Sequence, residues 1–138
     1  MMWLIKSLIL YGIGGLSYIA IELLWRGHTH WTMFVVGGIC FLIVGSINEY
    51  YSWDIPLIKQ SIIGAVAVTI IEFFAGIILN KWLNLGIWDY SNLPFNILGQ
   101  ICLPFTLIWC FLSAIAIIID DYIRHWLFKE EKPKYHIF

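Results

Sequence analysis

Four apolar stretches separated by polar breaks dominate the chain, at about residues 7–25, 32–48, 60–80 and 99–120. Each approaches the ~20 residues that an α-helix needs to cross the hydrocarbon core of a bilayer. The pattern predicts an all-α integral membrane protein of four transmembrane helices in a bundle. The breaks are Arg26-Gly27-His28-Thr29-His30, the segment 49–59 around Pro56, and a longer stretch from Lys81 to Leu98. Residues 122–138 read as a polar tail too short to fold alone, so residues 1–138 form one membrane domain. Lys6 precedes the first apolar run as in a signal peptide, but the run continues to Trp25 without an A-x-A cleavage pattern, and the segment is expected to stay as a helix.

Within the segments the polar and small residues follow a helical period. In the third, Ser61, Ala65, Thr69, Glu72, Gly76 and Asn80 recur every three or four positions and share one stripe, while Ile62, Ile63, Val66, Ile70, Phe73, Phe74 and Ile77 cover the lipid-facing side. Tyr11, Gly15, Tyr18, Glu22 and Arg26 form the corresponding stripe of the first segment. The second offers Gly37, Gly38, Gly45, Asn48 and Glu49, and the fourth Cys102, Thr106, Cys110 and Ser113. Small residues allow close backbone approach and polar ones bond across it, so the stripes should face one another.

Composition agrees: 61% of residues are hydrophobic and only 12% charged, about half the charge of an ordinary soluble domain. A net charge of −1 supplies no basic field for nucleic acid. The cations are unevenly placed. Lys6, Lys59, Arg124, Lys129, Lys132 and Lys134 fall on the side of the termini, and Arg26 and Lys81 on the other, so the positive-inside rule predicts cytoplasmic termini in the cytoplasmic membrane and outward-facing loops at 26–31 and 81–98. That bias also opposes an antiparallel dual-topology dimer of the small multidrug exporter kind. Cys40, Cys102 and Cys110 lie inside apolar runs and read as small buried side chains.

Glu72 carries the strongest chemical signal. An acid near the middle of a span costs roughly 2.5–3.5 kcal/mol on insertion scales and needs a partner, water or a proton. Its role is either a cation, proton or polar-solute site or a hydrogen-bonded tie between helices. Glu22 is a second acid, with Arg26 at i+4 as a ready local partner. Glu49, Asp54, Asp120 and Asp121 read as solvated acids at helix ends. The 81–98 loop is too apolar for free water: Trp82, Trp88 and Tyr90 suit the headgroup level, and Pro94 favours extended backbone before it. It is expected to be an interfacial or re-entrant segment between helices 3 and 4, with Asp89, Tyr90, Asn92 and Asn96 capping a cavity that holds Glu72 and Glu22. A purely structural lid is the alternative. His28 and His30 make a weak H-x-H metal signal, and no metal or cofactor is expected. No catalytic or phosphate-binding motif is present, so no enzymatic activity is expected.

The chain resembles the ABC-transporter type IV permease family of small multipass membrane proteins. Trp88-Asp89-Tyr90-Ser91, Pro94-Phe95-Asn96, Gly99 and Ile101-Cys102-Leu103 carry the likeness, with Ile71-Glu72-Phe73 before them. Arg26-Gly27-His28-Thr29-His30-Trp31-Thr32-Met33 and Gly37-Gly38-Ile39-Cys40 look like one branch of it. The resemblance implies a transporter-like protein whose ATPase, if it has one, is a separate chain, because no G-x-x-x-x-G-K-[ST] occurs here.

These observations lead to an expected homo-oligomer in the lipid bilayer that binds or conducts a cation or small polar solute through an outward-facing acidic cavity. Glu72, Glu22, Asp89, Tyr90 and Asn96 are its candidate site. A membrane interaction or assembly module without a transported solute is the main alternative, and a holin-like pore former a weaker one.

Overall fold

In a computed structural model, residues 2–47, 55–130, 132, 133 and 135 are described. They form four helices: α1 (Met2–Arg26), α2 (Thr32–Gly45), α3 (Leu57–Gly76) and α4 (Leu103–Phe128). α3 runs on without interruption into a π-helical segment, Ile77–Trp82. Asn48, Glu49 and Asp54 lie outside the described residues.

α1, α3 with its π-helical extension, and α4 are long and apolar enough to cross a membrane. α2 has 14 residues, a rise of about 21 Å, which is short of the ~30 Å hydrocarbon core. It nevertheless connects the two ends of the bundle. Its start follows the 27–31 turn after Arg26, and its end, at Gly45, lies against Asp120 near the far end of α4.

α2 packs against α1, α3 and α4, and α3 packs against α4. The α1–α2 contact is built reciprocally. Gly14 and Gly15 of α1 receive the rings of Phe41 and Phe34, while Gly37 and Gly38 of α2 receive Tyr18 and Tyr11. Without a side chain at those positions the helices approach closely enough for each ring to lie on backbone, the packing expected where lipid gives no hydrophobic drive. Val44, Ile47, Val68 and Ile117 form the core, flanked by Cys40, Leu57, Trp109, Ala116 and Tyr135. The face of α3 opposite its polar stripe exposes Ile62, Ile63, Val66, Ile70 and Phe74, as a lipid-facing surface requires.

The fourth helix departs from the hydropathy reading at both ends. Residues 99–102 belong to the loop: Gly99 has φ +72°, and Cys102 is extended. Pro104 fits the first turn of α4, where its missing N–H leaves no helical bond unmade. At the other end the helix continues to Phe128, and Lys129 closes it in the left-handed conformation, its N–H donating to the Arg124 carbonyl. Asp120 and Asp121 are therefore not solvated loop acids; they are 0% and 3% exposed. Helical spacing turns them inward, where Gly45 leaves room for Asp120, Arg124 binds Asp120 at 2.9 Å, and the Tyr135 hydroxyl donates to Asp121 at 2.5 Å.

Candidate functional site

Glu72 lies on the buried stripe of α3, with Ser61, Ala65 and Gly76 above and below it, and is 6% exposed. Its two carboxyl oxygens meet different elements. The Tyr90 hydroxyl, from the loop, donates to Oε2 at 2.9 Å, and the Trp109 indole N–H, from α4, donates to Oε1 at 3.1 Å. Tyr90 is fixed by stacking on Phe105, with centroids 4.6 Å apart and planes 9° from parallel. Phe105 and Trp109 are one helical turn apart on α4 and in ring contact, and Trp109 also touches Tyr18 of α1. One carboxylate thus joins α3, α4 and the loop within an aromatic shell. Both donors are neutral, and no cation is paired with Glu72 among the described residues.

The loop is held over this end of the bundle by a second set of bonds. Asn80, in the π-helical segment, donates to Gln100 Oε1 at 2.8 Å and accepts the Ile87 N–H at 2.6 Å. Gln100, itself buried, donates to the Leu98 carbonyl, and its own carbonyl accepts the Trp88 indole N–H at 3.0 Å. Gly76 makes this possible, because a Cβ there would lie 2.5 Å from Gln100 Oε1. Tyr90 N–H donates to the Gly99 carbonyl at 2.7 Å, which closes the loop on itself just before Tyr90 reaches inward. Arg26, at the end of α1, donates to the Ile87 carbonyl at 3.1 Å.

The expected site residues are not gathered into one cluster. Tyr90 reaches Glu72. Glu22 instead pairs with Arg26 at 2.7 Å and accepts from Thr29 Oγ1 at 3.1 Å, which makes it a brace for the α1 end and the turn after it. Asp89 is exposed and accepts from both the hydroxyl and the N–H of Ser91, and these donors hold its carboxyl below the usual carboxylate range. Asn96 turns inward on its own loop, donating to the Leu93 carbonyl and accepting the Gly99 N–H. His30 Nδ1 lies 2.7 Å from Thr32 Oγ1 and accepts the Thr32 N–H, a local cap for α2. Tyr90 itself is held above the ordinary phenol range, first by burial and then by the charge of Glu72.

Trp109 and Gln100 are the members that hydropathy conceals. Trp109 falls three residues after Thr106 on the polar stripe of α4, and that spacing was its available signal; Thr106 itself bonds Thr69 of α3 at 3.0 Å. Gln100 gave the opposite cue, a polar residue in an apolar run.

Fold and site together define a small helical membrane protein with an acid tied beneath an aromatic loop. The chain belongs to the family described as "Putative ABC-transporter type IV", which it matches over residues 3–138. It is therefore a transporter-related membrane protein by family. No curated protein and no solved structure matches it.

Proposed function

We propose that the protein is a transport-type membrane subunit in which Glu72 exchanges a proton, binds a cation or hydrogen-bonds a small polar solute in an outward-facing site closed by the 83–102 loop. The observation that carries this reading is the pairing of Glu72 with two neutral donors and no cation among the described residues. Hydrogen bonds from an indole and a phenol spread a negative charge but do not cancel it, so an acid held this way between apolar helices requires a proton or a cation. α2 is the fourth crossing, the termini are cytoplasmic and the loop is outside. Tyr90 is the inner surface of the lid, Asp89 and Asn96 shape its turns, and Glu22 with Arg26 anchors its edge. The reading is non-enzymatic, with assembly as a homo-oligomer and any ATPase supplied by another chain.

The test is flux into proteoliposomes, followed with pH- and cation-sensitive dyes, for the wild type and Glu72→Gln. Flux in the wild type that is lost in the variant supports the proposal, and equal flux in both overturns the role of Glu72. A second reading, an assembly module with no transported solute, draws on the engagement of both Glu72 oxygens by the protein's own donors. It expects no flux from either protein and a purely structural effect of Glu72.

A further inference from the structure

The end of the bundle away from the loop holds a separate arrangement of charges. Lys6, in the second turn of α1, places Nζ 3.0 Å from Oε2 of Glu130, and Arg124, near the end of α4, places Nη1 3.8 Å from Oε1 of the same carboxylate. Two cations from two helices converge on one acid from the segment that follows α4. Together with Met2, Trp3 and Ser7 they line a pocket of about 280 Å³.

The cations are held in place independently of Glu130. Asp120 binds Arg124 Nε at 2.9 Å, and Lys6 Nζ stands over the Phe128 ring at 5.3 Å from its centroid. Glu130 is the member on irregular chain, beyond the left-handed Lys129, and a quarter of its side chain is exposed. The arrangement is a preformed two-cation seat in which a carboxylate occupies the anion position.

We propose that this pocket binds the phosphate of an anionic phospholipid headgroup, with Glu130 yielding its place to it. Three features select a lipid. The pocket lies where apolar helices end, the depth at which headgroups sit. Trp3, in the pocket wall, is exposed, as interfacial aromatics are. Met2 and Trp3 give an apolar wall for the glycerol and upper acyl chain, while Ser7 adds a hydroxyl donor. A phosphodiester carries the same single negative charge as the Glu130 carboxylate, so the exchange leaves the charge balance of the pocket unchanged, and phosphate oxygens accept well from both a guanidinium and an ammonium. In the proposed orientation the pocket faces the cytoplasmic leaflet, where basic pockets between helices take anionic lipids. The inference is independent of Glu72.

The experiment counts lipids retained by the full chain, purified in detergent and offered phosphatidylglycerol and phosphatidylcholine in equal amounts, by native mass spectrometry. Preferential retention of phosphatidylglycerol is expected. Lys6→Gln should lower it about five-fold, the contribution of one basic side chain at an anionic surface, and Lys6→Arg should restore it. Glu130→Gln should raise retention by removing the competing carboxylate. That variant lies outside the helices and carries the test if Lys6→Gln does not fold. Equal retention of the two lipids, no response to Lys6→Gln, or no gain in Glu130→Gln would each overturn the proposal. Displacement by excess inorganic phosphate would reassign the pocket to a soluble anion and overturn it as a lipid site.

Discussion

Replacing Glu72 by glutamine and by alanine separates its charge from its hydrogen bonds. The Trp109 indole can only donate, whereas the Tyr90 hydroxyl can turn from donor to acceptor. A glutamine at position 72 therefore has one good orientation, with its oxygen toward Trp109 and its NH₂ toward Tyr90, and both contacts at 3.1 and 2.9 Å survive. A protonated glutamic acid meets the same pattern with its carbonyl oxygen and its O–H. Glu72→Gln should then unfold within about 1 kcal/mol of the wild type when Glu72 carries a proton. Alanine leaves the partly buried indole N–H and phenol without an acceptor, at about 1–3 kcal/mol each, before any cavity left by the lost side chain. The expected order is wild type and Glu72→Gln together, with Glu72→Ala lower by about 2–6 kcal/mol. Denaturant unfolding of the purified protein in detergent, followed by tryptophan emission, reads this directly. Tyr90→Phe completes a double-mutant cycle because it keeps the ring stacked on Phe105 and removes only the hydroxyl. A coupling of about 1.5–3 kcal/mol between positions 72 and 90 marks a charged acceptor, and about 0.5–1.5 kcal/mol a neutral one. If Glu72→Ala proves as stable as Glu72→Gln, the hydrogen-bonded acid is not what holds the loop to the bundle, and the reasoning fails.

Three further outcomes follow from the geometry. A methyl group at Gly14 would collide with the Cβ of Phe41, whereas one at Gly12 meets nothing within 4 Å; thermal unfolding should show Gly14→Ala destabilised by about 1–3 kcal/mol or more and Gly12→Ala stabilised by up to about 1 kcal/mol, and equal melting of the two would contradict the packing. Asn80→Ala removes the bonds to Gln100 and to Ile87 N–H, so limited proteolysis should cut the 83–102 loop faster while the helical circular dichroism stays constant; unchanged cleavage would show that Asn80 does not tether the loop. The phenol of Tyr90 binds its proton more tightly in the folded state than in the unfolded one, whose pKa is about 10. Its stabilisation is fully present below that value and declines as pH rises toward the folded pKa. Hydrogen exchange in the loop should accelerate with alkalinity beyond the intrinsic chemical rate, and Tyr90→Phe should lose that excess; its persistence in the variant would refute the assignment.

The helical period, the small-residue stripes and the apolar character of the 81–98 loop are local properties, so they could be read along the chain. They placed Glu72 on the inner face of its helix, and the Trp88-Asp89-Tyr90-Ser91 and Pro94-Phe95-Asn96 motifs pointed to the family that the chain belongs to. The i,i+4 spacing of Glu22 and Arg26 likewise announced their pairing. Which donor meets which acceptor across helices was not legible. Tyr90 and Trp109 stand 18 and 37 positions from Glu72, and only the rotation and depth of each helix in the bundle bring them together. Hydropathy also assigned Asp120 and Asp121 to water, because a window average registers two charges near the end of an apolar run but not the glycine on a neighbouring helix that makes room for one of them. Periodicity determines the face a residue shares with its own helix; the partners that satisfy it come from segments remote in sequence, and their meeting is a property of tertiary packing alone.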